Sequence, residues 1–227
     1  MRNLYLLFAC FVLGSSFSCE PEIESNSRGQ AKGRLVDQNA IGVAGILVRA
    51  ETPYTRLGFQ NTDAEGNFEF TYLIPGWEIP EVQLNPRDEN PDYNSSFASI
   101  SYVDNSSMFT TTNSDYGDVM LPELATFELT LKANANTQDT LNFRVTYADR
   151  FCERYRFPPE DDVEIEELCF VDTEFFGQHL PDDLNKTFDF ATIQGRPVYI
   201  DFRINSGAEQ NLVLNLNNSI LSYEIAH

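Results

Sequence analysis

The sequence has few of the residues on which most enzymes and nucleic-acid-binding proteins rely. Its 227 residues include 2 histidines and 1 tryptophan, and 15 lysines and arginines stand against 35 aspartates and glutamates. The formal net charge of −20 argues against nucleic acid and anionic lipid head groups as partners, because both require basic patches. The acidic balance favours a solvated surface that keeps an exported protein soluble, and binding of calcium or of a cationic partner is the alternative.

Motifs that identify common catalytic sites are also missing. The sequence contains no H-E-x-x-H, no G-x-S-x-G and no phosphate-binding glycine loop. A pair of carboxylates could serve a glycosidase, but only their separation in space decides that, and the sequence does not give it. We therefore expect no catalytic residue, no metal site and no cofactor, and predict that the protein is not an enzyme.

Helical spacing of apolar residues is absent beyond the N-terminal region, and strand-like alternation replaces it. Apolar and polar residues alternate in Phe68–Tyr72, Phe127–Leu131 and Leu141–Tyr147, for example. A content of 18 phenylalanines and 10 tyrosines also favours strands. The sequence predicts an all-β fold of two β-sandwich domains, residues 31–132 and 133–227, with Phe127–Leu131 as the last strand of the first domain.

The N-terminal region has the pattern of an export signal. Arg2 is followed by the apolar run Leu4–Leu13 and by small residues up to Cys19. The pattern resembles a bacterial lipoprotein signal, which implies that residues 1–18 are removed and that Cys19 is lipidated; plain secretion is the alternative. Residues 19–30 are polar and predict a flexible tether. We expect a lipid-anchored protein at the outer membrane or cell surface of a Gram-negative bacterium.

A tight turn organises the first predicted domain. In the run Thr62–Phe68, Asp63 and Gly66 shape the turn, because glycine adopts φ > 0 at no steric cost, and Phe68 is the first inward residue of the next strand. The run and its upstream glycines resemble the carboxypeptidase regulatory-like (transthyretin-like) domain family. The matching residues are Gly33, Val36–Asp37, Gly42–Val43, Gly45, Val48 and Thr62–Phe68. The resemblance implies a seven-stranded Greek-key sandwich with a modular, non-catalytic role.

Two cysteines remain after the signal and the lipidation site are accounted for. Cys152 and Cys169 form an even pair in an exported chain, which predicts a disulfide. A zinc site is the alternative, but His179 is the only imidazole near them in sequence and no Cys-x-x-Cys spacing exists.

Candidate ligand-binding residues lie in predicted loops. Trp77 and Tyr93, together with Tyr102 and Tyr116, could stack on a sugar ring or grip a peptide, although such aromatics more often cap a core. The acidic loop with Glu160, Asp161 and Asp162 could bind calcium or a basic partner, although a solvated face is the favoured interpretation.

Three functions follow as hypotheses. The leading one is a non-catalytic binding or scaffolding protein of the cell envelope, whose partner is a glycan, a peptide or an envelope protein. The second is an accessory subunit of an outer-membrane transport or secretion assembly. The third is a hydrolase that uses a carboxylate pair.

Overall fold

A computed structural model shows an all-β protein. It describes residues 28–74, 78, 80–86, 93–104, 113–134, 138–156 and 165–227. None of these segments forms a helix that is long and apolar enough to cross a membrane. The strands are β1 (Arg28–Val36), β2 (Leu47–Glu51), β3 (Arg56–Asn61), β4 (Asn67–Leu73), β5 (Glu81–Leu84), β6 (Ser99–Asp104), β7 (Asn113–Met120), β8 (Leu124–Lys132), β9 (Leu141–Ala148), β10 (Phe151–Arg156), β11 (Ile165–Cys169), β12 (Asp172–His179), β13 (Lys186–Ile193), β14 (Pro197–Ile204), β15 (Gln210–Asn215) and β16 (Ile220–Ala226).

The first sandwich packs a three-stranded sheet against a six-stranded sheet. The strand orders are β4-β1-β7 and β11-β10-β6-β5-β2-β3. In β4, Phe68, Phe70 and Tyr72 are buried and alternate with exposed polar residues, because successive side chains of a strand point to opposite faces. These rings share one apolar core with residues of the facing sheet, such as Val48 and Ile100.

The second sandwich packs sheet β12-β9-β14-β15 against sheet β13-β8-β16. Strand β8 alternates strictly between buried and half-buried residues, β9 does so from Leu141 to Thr146, and their buried sides face each other across the core. This core contains Phe127, Leu129, Leu131, Leu141, Phe143, Val145, Phe190, Val198, Ile200, Phe202, Leu216 and Ile225, among others. The two predicted β-sandwiches are therefore present.

The strands are divided between the sandwiches differently from the sequence expectation. Strand β8, which the sequence placed at the end of the first domain, pairs with β13 and β16 in the second sandwich. Strands β10 and β11, which follow the expected boundary at residue 132, extend the six-stranded sheet of the first sandwich through β6. The predicted boundary was wrong because an alternating strand fits any half-buried sheet, and its sequence does not determine which strand it pairs with.

Several chain crossings join the two sandwiches at a common seam. The connection between β9 and β10 is only two residues long. The carbonyl of Arg150, in this connection, accepts a hydrogen bond from the Ser99 amide at 3.0 Å. Across β11–β12, the Asp149 amide donates to the Val171 carbonyl at 2.8 Å. A small apolar cluster, which includes the buried Ala98, fills the seam. Short hydrogen-bonded crossings leave little length for a hinge.

Candidate functional site

A concave site lies on the outer face of the six-stranded sheet. It is a cavity of about 510 Å³, called here the sheet-face cavity, and strands β5, β6 and β10 supply most of its wall. Its lining includes Glu81, Gln83, Ser99, Ser101, Phe151 and Glu153. The outward positions of β5 alternate with Val82 and Leu84, which are buried in the core, so the pleat itself presents Glu81 and Gln83 to the cavity.

A chain of hydrogen bonds runs across this face. The register places Gln83 opposite Ser101, with Arg49 on the other side of Gln83. The Gln83 Nε2 group donates to Glu81 Oε1 at 2.9 Å, and the Ser101 hydroxyl donates to the same oxygen. Arg49 Nη2 donates to Gln83 Oε1 at 2.9 Å. The cavity wall is therefore a fixed array of donors and acceptors, not a set of independent surface side chains.

Arg49 supports this array from a buried position. Its side chain is 1% exposed, and it forms a two-point ion pair with Glu51. The Arg49 Nε atom lies 2.7 Å from Glu51 Oε2, and Nη2 donates to Oε1 at 2.9 Å. A guanidinium so far from water needs such a partner, because an unpaired buried charge is costly. The pair neutralises itself and leaves Glu81 and Glu153 as the charged groups of the lining.

Asn85 fixes the loop that follows β5. It is fully buried and has φ of 56°, a left-handed conformation that asparagine tolerates better than most residues. Its Nδ2 group donates to the carbonyls of Asn94 and Phe97, both at 2.9 Å, and its Oδ1 accepts the Asn94 amide at 2.9 Å. Its carbonyl accepts the Ser99 hydroxyl at 2.7 Å. Asn85 thus ties the 93–98 segment to the end of the strand that lines the cavity.

The predicted disulfide is confirmed and lies beside the cavity. Cys152 and Cys169 are bonded and stand directly opposite each other in the β10–β11 ladder. Cys152 is buried in the first core and also lines the cavity. The bond closes the base of the hairpin whose connecting segment contains Glu160, Asp161 and Asp162. Those three acids lie outside the described residues.

The predicted turn connects β3, at the edge of the six-stranded sheet, to β4 of the other sheet, and none of its residues lines the cavity. Asp63 Oδ1 accepts the amides of Glu65 at 3.0 Å and Asn67 at 2.7 Å. These bonds, that of Asn67 above all, hold the pKa of Asp63 below its ordinary value, because they favour the charged carboxylate. Gly66 has φ of 86°, and Phe68 is 2% exposed. The geometry is that of a structural turn.

The aromatic candidates are not brought together. Tyr93 is half-buried, and its hydroxyl has no hydrogen-bond partner among the described residues. Tyr102 is buried rather than exposed in a loop, and its ring lies 4.6 Å from that of Tyr116, which packs on the first core. These two therefore serve the core. Trp77 and the lipidation candidate Cys19 lie outside the described residues.

The chemistry of the cavity suits a ligand that both donates and accepts hydrogen bonds. Both described contacts of Glu81 use Oε1, so Oε2 can accept from a ligand. No group of three metal-binding side chains occurs within the segments that the structure describes. Sequence analysis missed Glu81, Gln83, Ser101 and Glu153. The alternation of apolar and polar residues could place these four side chains on an outward face of their strands. The sequence does not show which strands are neighbours, so it could not predict that these side chains line one cavity.

Comparisons with known proteins add similarities of fold only. No protein-family model and no curated protein sequence matches the chain, so the resemblance to carboxypeptidase regulatory-like domains stays a prediction. The chain is similar in structure to the Bacillus anthracis TIE protein, with 11% identity and a TM-score of 0.30 over 88% of this chain and 34% of that one. A streptococcal ancillary pilin has 7% identity and a TM-score of 0.30, over 89% of this chain and 63% of the pilin.

A candidate adhesin from Bacteroides ovatus has 11% identity and a TM-score of 0.30, over 92% of this chain and 91% of that one. The chain thus spans about a third of the TIE protein and under two thirds of the ancillary pilin. At these TM-scores the similarities assign no function.

Proposed function

We propose that the protein is a non-catalytic binding protein of the cell envelope and that the sheet-face cavity holds a neutral glycan. The observation that carries this proposal is the hydrogen-bonded row Arg49–Gln83–Glu81–Ser101, which presents oriented polar groups along a cavity of about 510 Å³. Cavities of this size with a few fixed polar groups are typical small-ligand sites.

The kinds of polar group favour a glycan over a basic peptide. Amide and hydroxyl groups, as in Gln83 and Ser101, both donate and accept, and sugar hydroxyls do the same. An ammonium group only donates, so it would satisfy Glu81 but give no acceptor to the second Nε2 hydrogen of Gln83, whose first hydrogen bonds to Glu81. Phe151 adds an apolar part to the wall, on which the C–H face of a sugar ring can pack.

Titration of the whole chain with oligosaccharides from bacterial envelope polysaccharides tests this proposal. Glu81→Gln keeps the size of the side chain but removes its charge and one acceptor, and we expect it to weaken binding by about tenfold, the cost of a charged hydrogen bond. Glu69→Gln is the matched control. Glu69 also accepts a hydrogen bond from a side-chain amide, that of Gln30 at 2.6 Å, but it lies on the other sheet.

Three results would contradict the proposal. Equal losses of oligosaccharide affinity in Glu81→Gln and Glu69→Gln would show that the ligand does not bind in the sheet-face cavity. Binding of lysine-rich peptides in preference to oligosaccharides would make the cavity a cation site. Cleavage of a bound oligosaccharide would make the protein a hydrolase, with Glu81 and Glu153, which line the same cavity, as the candidate catalytic pair.

We also propose that Cys19 carries a lipid that holds the protein on the outer membrane or cell surface. The signal-like sequence before Cys19 supports this, as does a disulfide, which forms and persists in oxidising compartments. Cys19→Ala should move the protein from the membrane fraction to the soluble fraction of fractionated cells. Unchanged membrane association of this variant would contradict lipidation.

A further inference from the structure

Strand β15 is an open sheet edge without the usual protection. It lies at one end of sheet β12-β9-β14-β15, and its residues Gln210, Asn211, Val213 and Asn215 are exposed. The edge strands of the four described sheets are β4, β7, β11, β3, β12, β15, β13 and β16. Among these, β15 alone contains no charged residue. Natural proteins place charges, prolines or bulges on edges to prevent pairing with other chains.

The strand is also regular enough to accept another strand. Its register with β14 runs without interruption from Phe202↔Gln210 to Pro197↔Asn215. The Leu216 carbonyl accepts a hydrogen bond from the Gly195 amide at 2.7 Å, on the side of β14. The even-numbered residues of β15 therefore direct their backbone groups toward β14. Backbone groups alternate in direction along an antiparallel strand, and those of Asn211, Val213 and Asn215 therefore face the open edge.

The side chains of β15 are symmetric about Val213. Residues 211 to 215 have the sequence Asn-Leu-Val-Leu-Asn, which is the same in both directions. In an antiparallel pair of two such strands centred on Val213, each Leu212 lies opposite a Leu214, and each Asn211 opposite an Asn215. Leucines meet leucines on the core side, where they already pack against the second core, and amides meet amides on the outer side.

We propose that β15 pairs antiparallel with β15 of a second copy of this chain, which makes one continuous sheet from the four-stranded sheets of two molecules. A two-fold axis passes between the Val213 residues, so both molecules use the same surface. The three outward-facing residues of each strand form about six backbone hydrogen bonds across the axis.

Charge favours a second copy at this edge over the described edge strands that contain acids, which are β4, β7, β11, β12, β13 and β16. Each chain carries a net charge of −20, so two copies repel wherever acidic strands meet. Two acids lie beside β15. Asp201 is paired with Arg144 Nε at 2.9 Å and accepts a hydrogen bond from the Asn211 amide at 2.7 Å, and Glu209, one residue before the strand, also interacts electrostatically with Arg144. The edge is short, so the association is weak and dependent on concentration.

Sedimentation velocity of the whole chain over about a hundredfold range of concentration tests the pairing. We expect the wild-type chain to shift from monomer to dimer, and Val213→Lys, which places two like charges on the axis, to abolish this shift. Ile220→Lys is the matched control, because Ile220 is 58% exposed on edge strand β16 and Val213 is 59% exposed. The control should dimerise like the wild type.

Cysteine variants test the register. Val213→Cys should oxidise to a disulfide-linked dimer, because directly opposed residues of antiparallel strands are close enough for the bond. Asn211→Cys and Asn215→Cys should cross-link efficiently when mixed and poorly when each is alone. Non-reducing gels measure the dimer fraction, and Ile220→Cys gives the background.

Three results would overturn the proposal. The first is a wild-type chain that stays monomeric at the highest concentration. The second is a dimer that Val213→Lys leaves intact, since it would use another surface. The third is cross-linking of Asn211→Cys alone at the level of the mixture, since it would exclude the symmetric register.

Discussion

At the scale of single residues, Gly66 shows how one position can be fixed by both conformation and space. Its φ of 86° lies in the region that other residues rarely adopt, and a side chain would meet the Leu35 carbonyl oxygen and, at 2.9 Å, the Val43 amide nitrogen. The Gly66 carbonyl also accepts the Leu35 amide at 2.8 Å, so the backbone cannot move away without losing this bond.

Replacement of Gly66 by valine is therefore expected to lower the free energy of unfolding by about 2 kcal/mol or more. Gly45 provides the comparison, because its φ is 73° but nothing lies within 4 Å of an added Cβ atom. Gly45→Val should cost only the conformational part, about 1 kcal/mol. Urea denaturation of both variants measures the difference, and equal losses would show that the contact with Leu35 is unimportant.

A second residue-scale feature is a buried pair of histidines. His179 and His227 are 1% and 3% exposed, and His179 Nδ1 lies 2.7 Å from His227 Nε2. His179 Nε2 lies 3.0 Å from the Leu184 carbonyl oxygen, which can only accept, so this nitrogen carries the proton. His179 Nδ1 and His227 Nε2 share one hydrogen bond, in which one of the two nitrogens donates and the other accepts.

This pair predicts a loss of stability at mildly acidic pH. Burial, and then the neighbouring His179, lower the pKa of His227, although Asp139 and Asp183 act in the opposite direction. Below about pH 6.5 the unfolded chain takes up a proton that the folded chain does not, so the free energy of unfolding falls as the pH decreases. Urea denaturation at pH values between about 7.5 and 5.5 measures this fall.

His227→Gln keeps a donor but cannot titrate, so the variant should lose less stability than the wild type over the same pH range. This comparison separates the histidine from the many carboxylates, which also affect acid stability. An identical pH dependence in the wild type and the variant would contradict the prediction.

At the scale of elements, the β10–β11 hairpin depends on its disulfide. The hairpin joins the six-stranded sheet through the parallel pairing of β10 with β6, and β11 is an edge strand. Cys152 and Cys169 are 17 positions apart, and the closed loop removes conformational freedom from the unfolded chain.

The double variant Cys152→Ala, Cys169→Ala is expected to lower the free energy of unfolding by about 3 kcal/mol. Hydrogen exchange should show faster exchange in β10 and β11, while β1 and β4 on the facing sheet change least. Reductant should reproduce the loss in the wild type and have no effect on the variant. A wild-type chain that reductant does not destabilise would contradict this account.

At the scale of the whole molecule, the exchange of strands across the seam makes the two sandwiches interdependent. The first needs β10 and β11 from residues after 150, and the second needs β8 from residues before 133. The Ala98 amide donates to the Pro122 carbonyl at 2.8 Å, and the Thr192 hydroxyl donates to the buried Ala148 carbonyl at 2.8 Å. Neither sandwich can unfold while the crossings of the other stay in place.

We therefore expect one cooperative unfolding transition for the whole chain, with calorimetric and van't Hoff enthalpies that agree. A fragment of residues 28–132 should fail to fold stably, because it leaves the apolar side of β8 without its partners and the six-stranded sheet without β10 and β11. Calorimetry of the whole chain and proton NMR of the fragment measure this. Two separate transitions, or a well-dispersed fragment spectrum, would contradict it.

Local patterns in the sequence determined the all-β class, the turn at Asp63 and Gly66 and the burial of Phe68. These features depend on residues within a few positions of each other, through alternation and through the conformational freedom of glycine. The Cys152–Cys169 pair followed from counting cysteines in an exported chain, which needs no knowledge of the fold.

The tertiary structure alone decided which strands are neighbours. It placed β8 in the second sandwich, brought Glu81, Ser101 and Glu153 from three strands to one cavity, and left β15 as an edge. An alternating strand carries information about its two faces but not about the partner at each edge, because backbone hydrogen bonds are the same for every sequence. The candidate site and the self-pairing edge are both properties of those neighbours, so they became visible only in the folded molecule.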